Sequence, residues 1–154
     1  MPHNAVVLDA NLMVLLVVGM ASPAYIARHK RLRAYSVRDF ELLCTLVSAA
    51  SRVIVTPNTV TEASNLAGQI SEPARTRVFA QLRALVTVAE ERYITSRQAA
   101  ENSTFLRLGI TDAVVLETME VDLTLLTADL DLYLEAARQG RTVVNFNHHI
   151  AANG

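Results

Sequence analysis

The chain reads AVVLDAN at residues 5–11, a stretch in which a short apolar run ends at a single carboxylate. A continuous run of Val and Leu is typical of a strand that is covered on both faces, as in a parallel sheet. The apolar residues 10–20 that follow predict a buried helix. Asp9 is therefore predicted to stand at the carboxyl end of a buried strand, which is where parallel sheets bind their ligands.

Strand and helix signals alternate along the rest of the chain. Further strands are predicted at 52–55, 123–126 and 142–145. The predicted helices lie at 38–50, 73–86, 96–107, 112–120 and 129–139, with one more that Thr56 caps and Pro57 begins. Residues 23–34 are predicted to form a helix or helical turn, and residues 86–89 could be either the end of a helix or a strand. This alternation predicts an α/β fold with a mainly parallel central sheet flanked by helices. We assign residues 1–147 to one domain and residues 148–154 to a C-terminal tail.

Four carboxylates, Asp9, Glu62, Asp112 and Asp129, fall where this order of elements would gather them at one edge of the sheet. Each has an ordinary alternative, because Asp is common at helix starts and an isolated Glu on a helix is usually solvated. Together, unpaired carboxylates repel one another and are costly to desolvate. Hard oxygen ligands select Mg²⁺ or Mn²⁺. The set therefore predicts a metal-dependent enzyme that cleaves phosphodiester bonds.

Three neighbouring polar residues are supporting candidates. Asn11 could orient Asp9 or a metal-bound water, or it could be a solvated residue of the first helical turn. Thr127 could be a hydroxyl that closes a strand or one that contacts a metal or phosphate. Asp131 lies in the first turn of its helix and could assist the acidic set, and Thr111 is predicted to cap the helix at 112–120.

The basic residues are unevenly distributed, although the formal net charge is only −1. Five of the 14 lie in one short segment: Arg28, Lys30, Arg31, Arg33 and Arg38. They could form a solvated face, but Arg also suits bidentate contact with phosphates. If this segment lies beside the acidic residues, we predict that it counters their negative field and holds an RNA backbone in a salt-sensitive manner.

The ordered motifs VLDAN at 7–11, PNTVTE at 57–62, GITDA at 109–113 and LTAD at 126–129 resemble the PIN domain family. These are small α/β ribonucleases, many of them toxins of bacterial type II toxin–antitoxin pairs. The resemblance covers residues 5–146. It implies that the family's acidic quartet is formed by Asp9, Glu62, Asp112 and Asp129, and that Thr127 matches its frequent Ser or Thr before the last acid.

The resemblance implies an endoribonuclease that uses Mg²⁺ or Mn²⁺ and leaves a 3′-hydroxyl and a 5′-phosphate. The family also suggests a homodimer, and a protein antitoxin is a candidate partner whose existence the resemblance does not establish. The apolar helix 10–20 supports the dimer, because it would leave more apolar surface than one small domain usually exposes. The alternative is a PIN-like module that binds RNA or protein with little or no catalysis.

Cysteine content and hydropathy bear on the compartment. Cys44 is the single cysteine, so no disulfide forms within the chain and a cysteine-based zinc site is excluded. We expect Cys44 to be buried and the protein to be cytoplasmic. The apolar run at 12–21 is too short to span a bilayer and lacks a preceding basic region, so we expect neither a membrane anchor nor a secretion signal.

Overall fold

A computed structural model describes residues 5–153. Within them lies a five-stranded sheet with the order β3-β2-β1-β4-β5, and all of its pairings are parallel. The strands are β1 Ala5–Leu8, β2 Arg52–Val55, β3 Glu90–Glu91, β4 Leu123–Thr127 and β5 Val143–Asn145. The predicted α/β fold with a central parallel sheet is confirmed.

Helices connect the strands and cover the sheet. They are α1 Ala10–Ala21, α2 Val37–Ser48, α3 Pro57–Ala67, α4 Ala74–Val88, α5 Ser96–Glu101, α6 Phe105–Leu108, α7 Ile110–Thr118, α8 Leu130–Arg138 and α9 Phe146–Asn153, with a 3₁₀ helix at Pro23–Arg28. The predicted N-terminus of α3 is confirmed, because Thr56 accepts a hydrogen bond from Thr59 N and Pro57 is the first helical residue.

The central strand β1 supplies both halves of the core. Val6 and Leu8 pack with α1 and its neighbouring helices, whereas Ala5 and Val7 pack with α7 and α8 on the opposite face. Successive side chains of a strand point to opposite faces, so a strand buried on both sides needs an unbroken apolar run. Helices therefore cover both faces of β1, and Asp9 follows directly at its carboxyl end.

Helix α1 lies inside the domain and contacts α2, α3 and α4. Of its residues, Asn11 and Met20 are exposed, while 12–19 are buried. Apolar surface on helix 10–20 is therefore covered within one copy of the chain, so the argument for a homodimer from this helix is wrong. Across residues 5–153, no helix combines the length and the apolar character needed to cross a membrane.

Several local predictions differ from the structure. The helix or helical turn predicted at 23–34 is a 3₁₀ helix that ends at Arg28, and turns follow it. Thr111 does not cap α7: Gly109, with a φ of 86°, precedes the helix and places Thr111 in its first turn. Cys44 is partly rather than fully buried. Helix α9 includes residues 148–153 of the predicted tail.

Candidate active site

A cleft of about 320 Å³ opens beyond the carboxyl ends of β1 and β4. Its lining includes all four predicted carboxylates, Asp9, Glu62, Asp112 and Asp129, together with Asn11. Apolar and small side chains complete the wall, and among the described residues no Arg or Lys contributes to it. Segments far apart in the sequence therefore bring an uncompensated set of acids to one place.

Asp9 is held by three hydrogen bonds at the junction of β1 and α1. Its Oδ1 accepts from Leu12 N at 2.9 Å, which caps α1. Its Oδ2 accepts from Thr127 Oγ1 at 2.5 Å and from Ala128 N at 2.8 Å. The capping role and the cleft role therefore belong to the same side chain. Burial raises the pKa of Asp9, although these three hydrogen bonds oppose the effect.

Thr127 links two of the acids. Its hydroxyl donates to Asp9 and accepts from Asp129 N at 3.0 Å. Asp129 in turn caps α8, with Oδ1 accepting from Leu132 N at 3.1 Å. Of the two interpretations of Thr127, the structure supports a strand-end hydroxyl, which orients the Asp9 carboxylate and accepts from the backbone N–H of Asp129.

Asp112 differs from the two capping acids. It lies in the first turn of α7, and within residues 5–153 its carboxylate has no hydrogen-bond or ion-pair partner. Its pKa is raised to about 7, mainly by burial and further by the carboxylates of Asp129, Glu62 and Asp9. The electrostatic coupling of these four acids is thus concentrated on Asp112.

Two other predicted site residues, Asp131 and Asn11, contribute less to the cleft. Asp131 is exposed and outside the cleft lining, but its charge also raises the pKa of Asp112. Asn11 is exposed at the cleft and makes no side-chain hydrogen bond within the described part of the chain. It is therefore free to contact a ligand rather than to orient Asp9.

The donor chemistry of the cleft suits a hard divalent cation, because every ionisable group in its lining is a carboxylate. The carboxylates are nevertheless not close enough together to bind an ion in their present positions: across residues 5–153, no three His, Cys, Asp or Glu residues are arranged so that they could hold a metal ion. Glu62 is exposed and unpaired, so its side chain can move toward the other acids. The residues present fit a cation by charge and chemistry.

The basic segment lies away from this cleft. Arg31 Nε donates to Gln69 Oε1 at 2.9 Å just beyond α3, and Arg38 reaches Asn153 O at 3.5 Å on α9. Arg28 lies over the ring of Tyr25, with 5.3 Å between its guanidinium carbon and the ring centroid. These three cations, and the exposed Lys30 and Arg33, do not line the cleft.

Sequence analysis missed two groups that shape this basic surface. Arg77 of α4 donates to the Tyr25 hydroxyl at 2.9 Å. Because Arg28 lies over the ring of the same residue, two arginines contact Tyr25. His29 is buried; its Nε2 lies 3.1 Å from Ala67 O, and its Nδ1 accepts from the backbone N–H of Arg31. Nε2 therefore carries the proton that is donated to Ala67 O, and the acceptor role of Nδ1 requires the neutral ring. Burial favours this neutral form because it lowers the pKa of His29. No local pattern in the sequence indicates either long-range contact.

A second groove of about 400 Å³ adjoins the acidic cleft. It runs between α3 and α7, and the two depressions share Glu62, Ile110 and Thr111. Asn58 and Asn65 line its α3 side. The sequence indicated polar residues around Glu62, but the groove itself depends on how α7 packs against α3.

Comparison with known proteins gives no relative to set beside this geometry. No protein-family model matches the chain, and neither a curated protein nor a solved structure matches it.

Proposed function

We propose that this protein is a metal-dependent endoribonuclease of the PIN type that hydrolyses RNA phosphodiester bonds at the acidic cleft. One observation carries the proposal: four carboxylates line a single cleft without a basic residue, and one of them, Asp112, has a pKa of about 7. Such repulsion is costly unless a cation offsets it. Strongly perturbed carboxylates in a cleft are also typical of functional sites.

Asp9, Asp112 and Asp129 would hold Mg²⁺ or Mn²⁺, and Glu62 would assist. When bound, such an ion supplies a water of lowered pKa and stabilises charge on the phosphate and the leaving oxygen. Thr127 and the Ala128 N–H fix the orientation of Asp9. Asp112 must lose its proton to bind the cation, so the apparent affinity for Mg²⁺ or Mn²⁺ should increase as the pH rises towards about 7.

The choice of RNA as substrate rests on the resemblance to the PIN family, as do the 3′-hydroxyl and 5′-phosphate products. The same resemblance supports a cytoplasmic toxin that is neutralised by a protein antitoxin. Expression in a bacterial host should then arrest growth, and co-expression of a small antitoxin gene adjacent to this one, where the genome carries such a gene, should relieve the arrest. Growth at the normal rate with active protein present would contradict the toxin role.

Purified protein incubated with labelled single-stranded RNA tests the enzymatic proposal. Cleavage should require Mg²⁺ or Mn²⁺, and Asp112→Asn or Asp129→Asn should reduce it by orders of magnitude. Asp122→Asn is a matched control, because Asp122 is an exposed acid whose partner is Arg52 at the other end of the sheet. Undiminished cleavage in excess EDTA, or equal loss in the control, would contradict the proposal.

A PIN-like binding module without catalysis is the second candidate. It is favoured by the lack of a converged ligand group in residues 5–153 and by the engagement of both Asp9 oxygens in internal hydrogen bonds. In that case RNA or a protein would bind with the same affinity in EDTA and in Mn²⁺, and no cleavage would follow at any metal concentration.

A further inference from the structure

We propose that the groove between α3 and α7 receives the unpaired bases of single-stranded RNA beside the bond to be cleaved, and that Asn58 and Asn65 select among them. This inference rests on the proposed function for the place of cleavage. The groove is continuous with the acidic cleft, because Glu62, Ile110 and Thr111 line both. A strand whose phosphate lies in the cleft therefore has the groove as its neighbouring surface.

The two asparagines lie on one face of α3. They are separated by seven positions, two turns of an α-helix, with Glu62 between them on the same stripe. At a rise of about 1.5 Å per residue they span about 10 Å along the axis. That length accommodates about three stacked nucleotides at about 3.4 Å each.

Both side-chain amides are available for a ligand. Neither Asn58 nor Asn65 makes a side-chain hydrogen bond to another described residue, and both line the groove. Thr61 differs, because its hydroxyl donates to Pro57 O at 2.8 Å. A free amide offers a donor and an acceptor side by side, which is the pattern that pairs with the edge of a base.

The charge of the groove favours bases over phosphates. No Arg or Lys of residues 5–153 lines it, and the Glu62 carboxylate would repel a phosphate. Ile110 supplies an apolar surface for the flat face of a base. Base edges are accessible to such contacts in single strands, whereas a duplex hides them in its pairing.

A cation stands at the far end of the same stripe. Gln69 Nε2 donates to Asn65 O at 3.4 Å, and Arg31 donates to the Gln69 side chain at 2.9 Å. Arg31 is exposed, and the guanidinium retains further donors for a phosphate. We therefore expect Arg31 to contact the backbone of the RNA beyond Asn65, at the end of the groove that lies away from Asn58.

The test measures binding of short homopolymers of adenosine, cytidine and uridine in EDTA by fluorescence anisotropy. The wild type should prefer one of them by about fivefold or more. In the double variant Asn58→Ala/Asn65→Ala the three affinities should become equal, while the dependence on salt stays unchanged. Arg31→Ala should keep the preference and lower the slope of log affinity against log salt by about 0.7.

Gln98→Ala is the matched control, because Gln98 is an exposed helical amide on α5 outside the groove. Alanine is the best helix former, so the variants on α3 should fold, as thermal melts can verify. The inference is overturned if the wild type binds all three polymers equally or not at all, or if the double variant keeps the wild-type preference. A preference for duplex RNA or for a protein partner would overturn it as well.

The two proposals fail in different ways. If the double variant loses the base preference but the wild type does not cleave RNA with any metal ion, the groove proposal stands and the nuclease proposal fails. If the wild type shows metal-dependent cleavage but the double variant keeps the base preference, the nuclease proposal stands and the groove proposal fails.

Discussion

Replacing Asp112 by Asn should stabilise the protein at neutral and alkaline pH. A carboxyl whose pKa rises from 3.8 to about 7 on folding lowers the free energy of unfolding by about 4 kcal/mol when it must be ionised in the folded protein. Asp112 is only partly buried, so solvent and salt screen this cost, and we expect about 2 kcal/mol. The variant also loses about 0.5 kcal/mol of favourable interaction with the N-terminus of α7. The net gain is about 1.5 kcal/mol.

The pH dependence follows from the direction of the pKa change. The unfolded chain ionises Asp112 near pH 3.8, whereas the folded protein keeps the proton until about pH 7. The wild type therefore loses stability as the pH rises between these values, and the loss is complete above about 7. The variant lacks the group, so its advantage should grow from about pH 4 to about pH 7 and then remain constant.

Thermal unfolding followed by circular dichroism at low salt, in EDTA, measures the effect. For a chain of this size, 1.5 kcal/mol corresponds to a rise in Tm of about 3–6 °C at pH 8, with less than half of that at pH 5. Asp122→Asn controls for the loss of one exposed carboxylate and should show no such growth with pH. A Tm at or below that of the wild type at pH 8, or an equal gain at both pH values, would refute the electrostatic coupling.

Three further predictions concern the core, the capped acid and assembly. Gly19→Ala should cost about 1–3 kcal/mol, because its Cβ would lie 2.2 Å from the Phe40 ring, and adding Phe40→Leu should recover part of the loss in a thermal melt. Asp9→Asn should lower the Tm, in contrast to the Asp112 variant, because its amide NH₂ must face a donor at either Leu12 N or Ala128 N; an unchanged or higher Tm would show that these hydrogen bonds contribute little. Light scattering at micromolar concentration should give twice the 16.8 kDa of one chain if the predicted homodimer forms, and 16.8 kDa would contradict it.

The parts of the fold that follow from local sequence were predictable. The apolar run at 5–8 and the Thr56-Pro57 helix start are set by burial on both faces and by capping, and each needs only its neighbours along the chain. The order of the elements was enough to place Asp9 and Asp129 at the same sheet edge. The joint lining of one cleft by all four acids agrees with that order.

The features that sequence analysis missed depend on long-range contacts. The sequence leaves a strand at 86–89 open, but α4 continues to Val88 and the strand β3 is Glu90–Glu91. These two glutamates favour no strand by themselves and are extended because they pair with β2. Arg77 meets Tyr25 across 52 positions of sequence. The unpaired state of Asp112 is likewise set by packing, since a carboxylate in a first helical turn is ordinarily a favourable residue.

The hydrogen bond between Thr127 and Asp9 joins positions 118 apart in the sequence. During synthesis, the amino-terminal part of a chain emerges first, at about 5–20 residues per second. Asp9 is therefore synthesised before the strand that orients it and before Asp129, which completes the cleft. A nascent chain that has not yet reached Asp129 cannot assemble this cleft, so any chemistry proposed for the cleft must await synthesis beyond that residue.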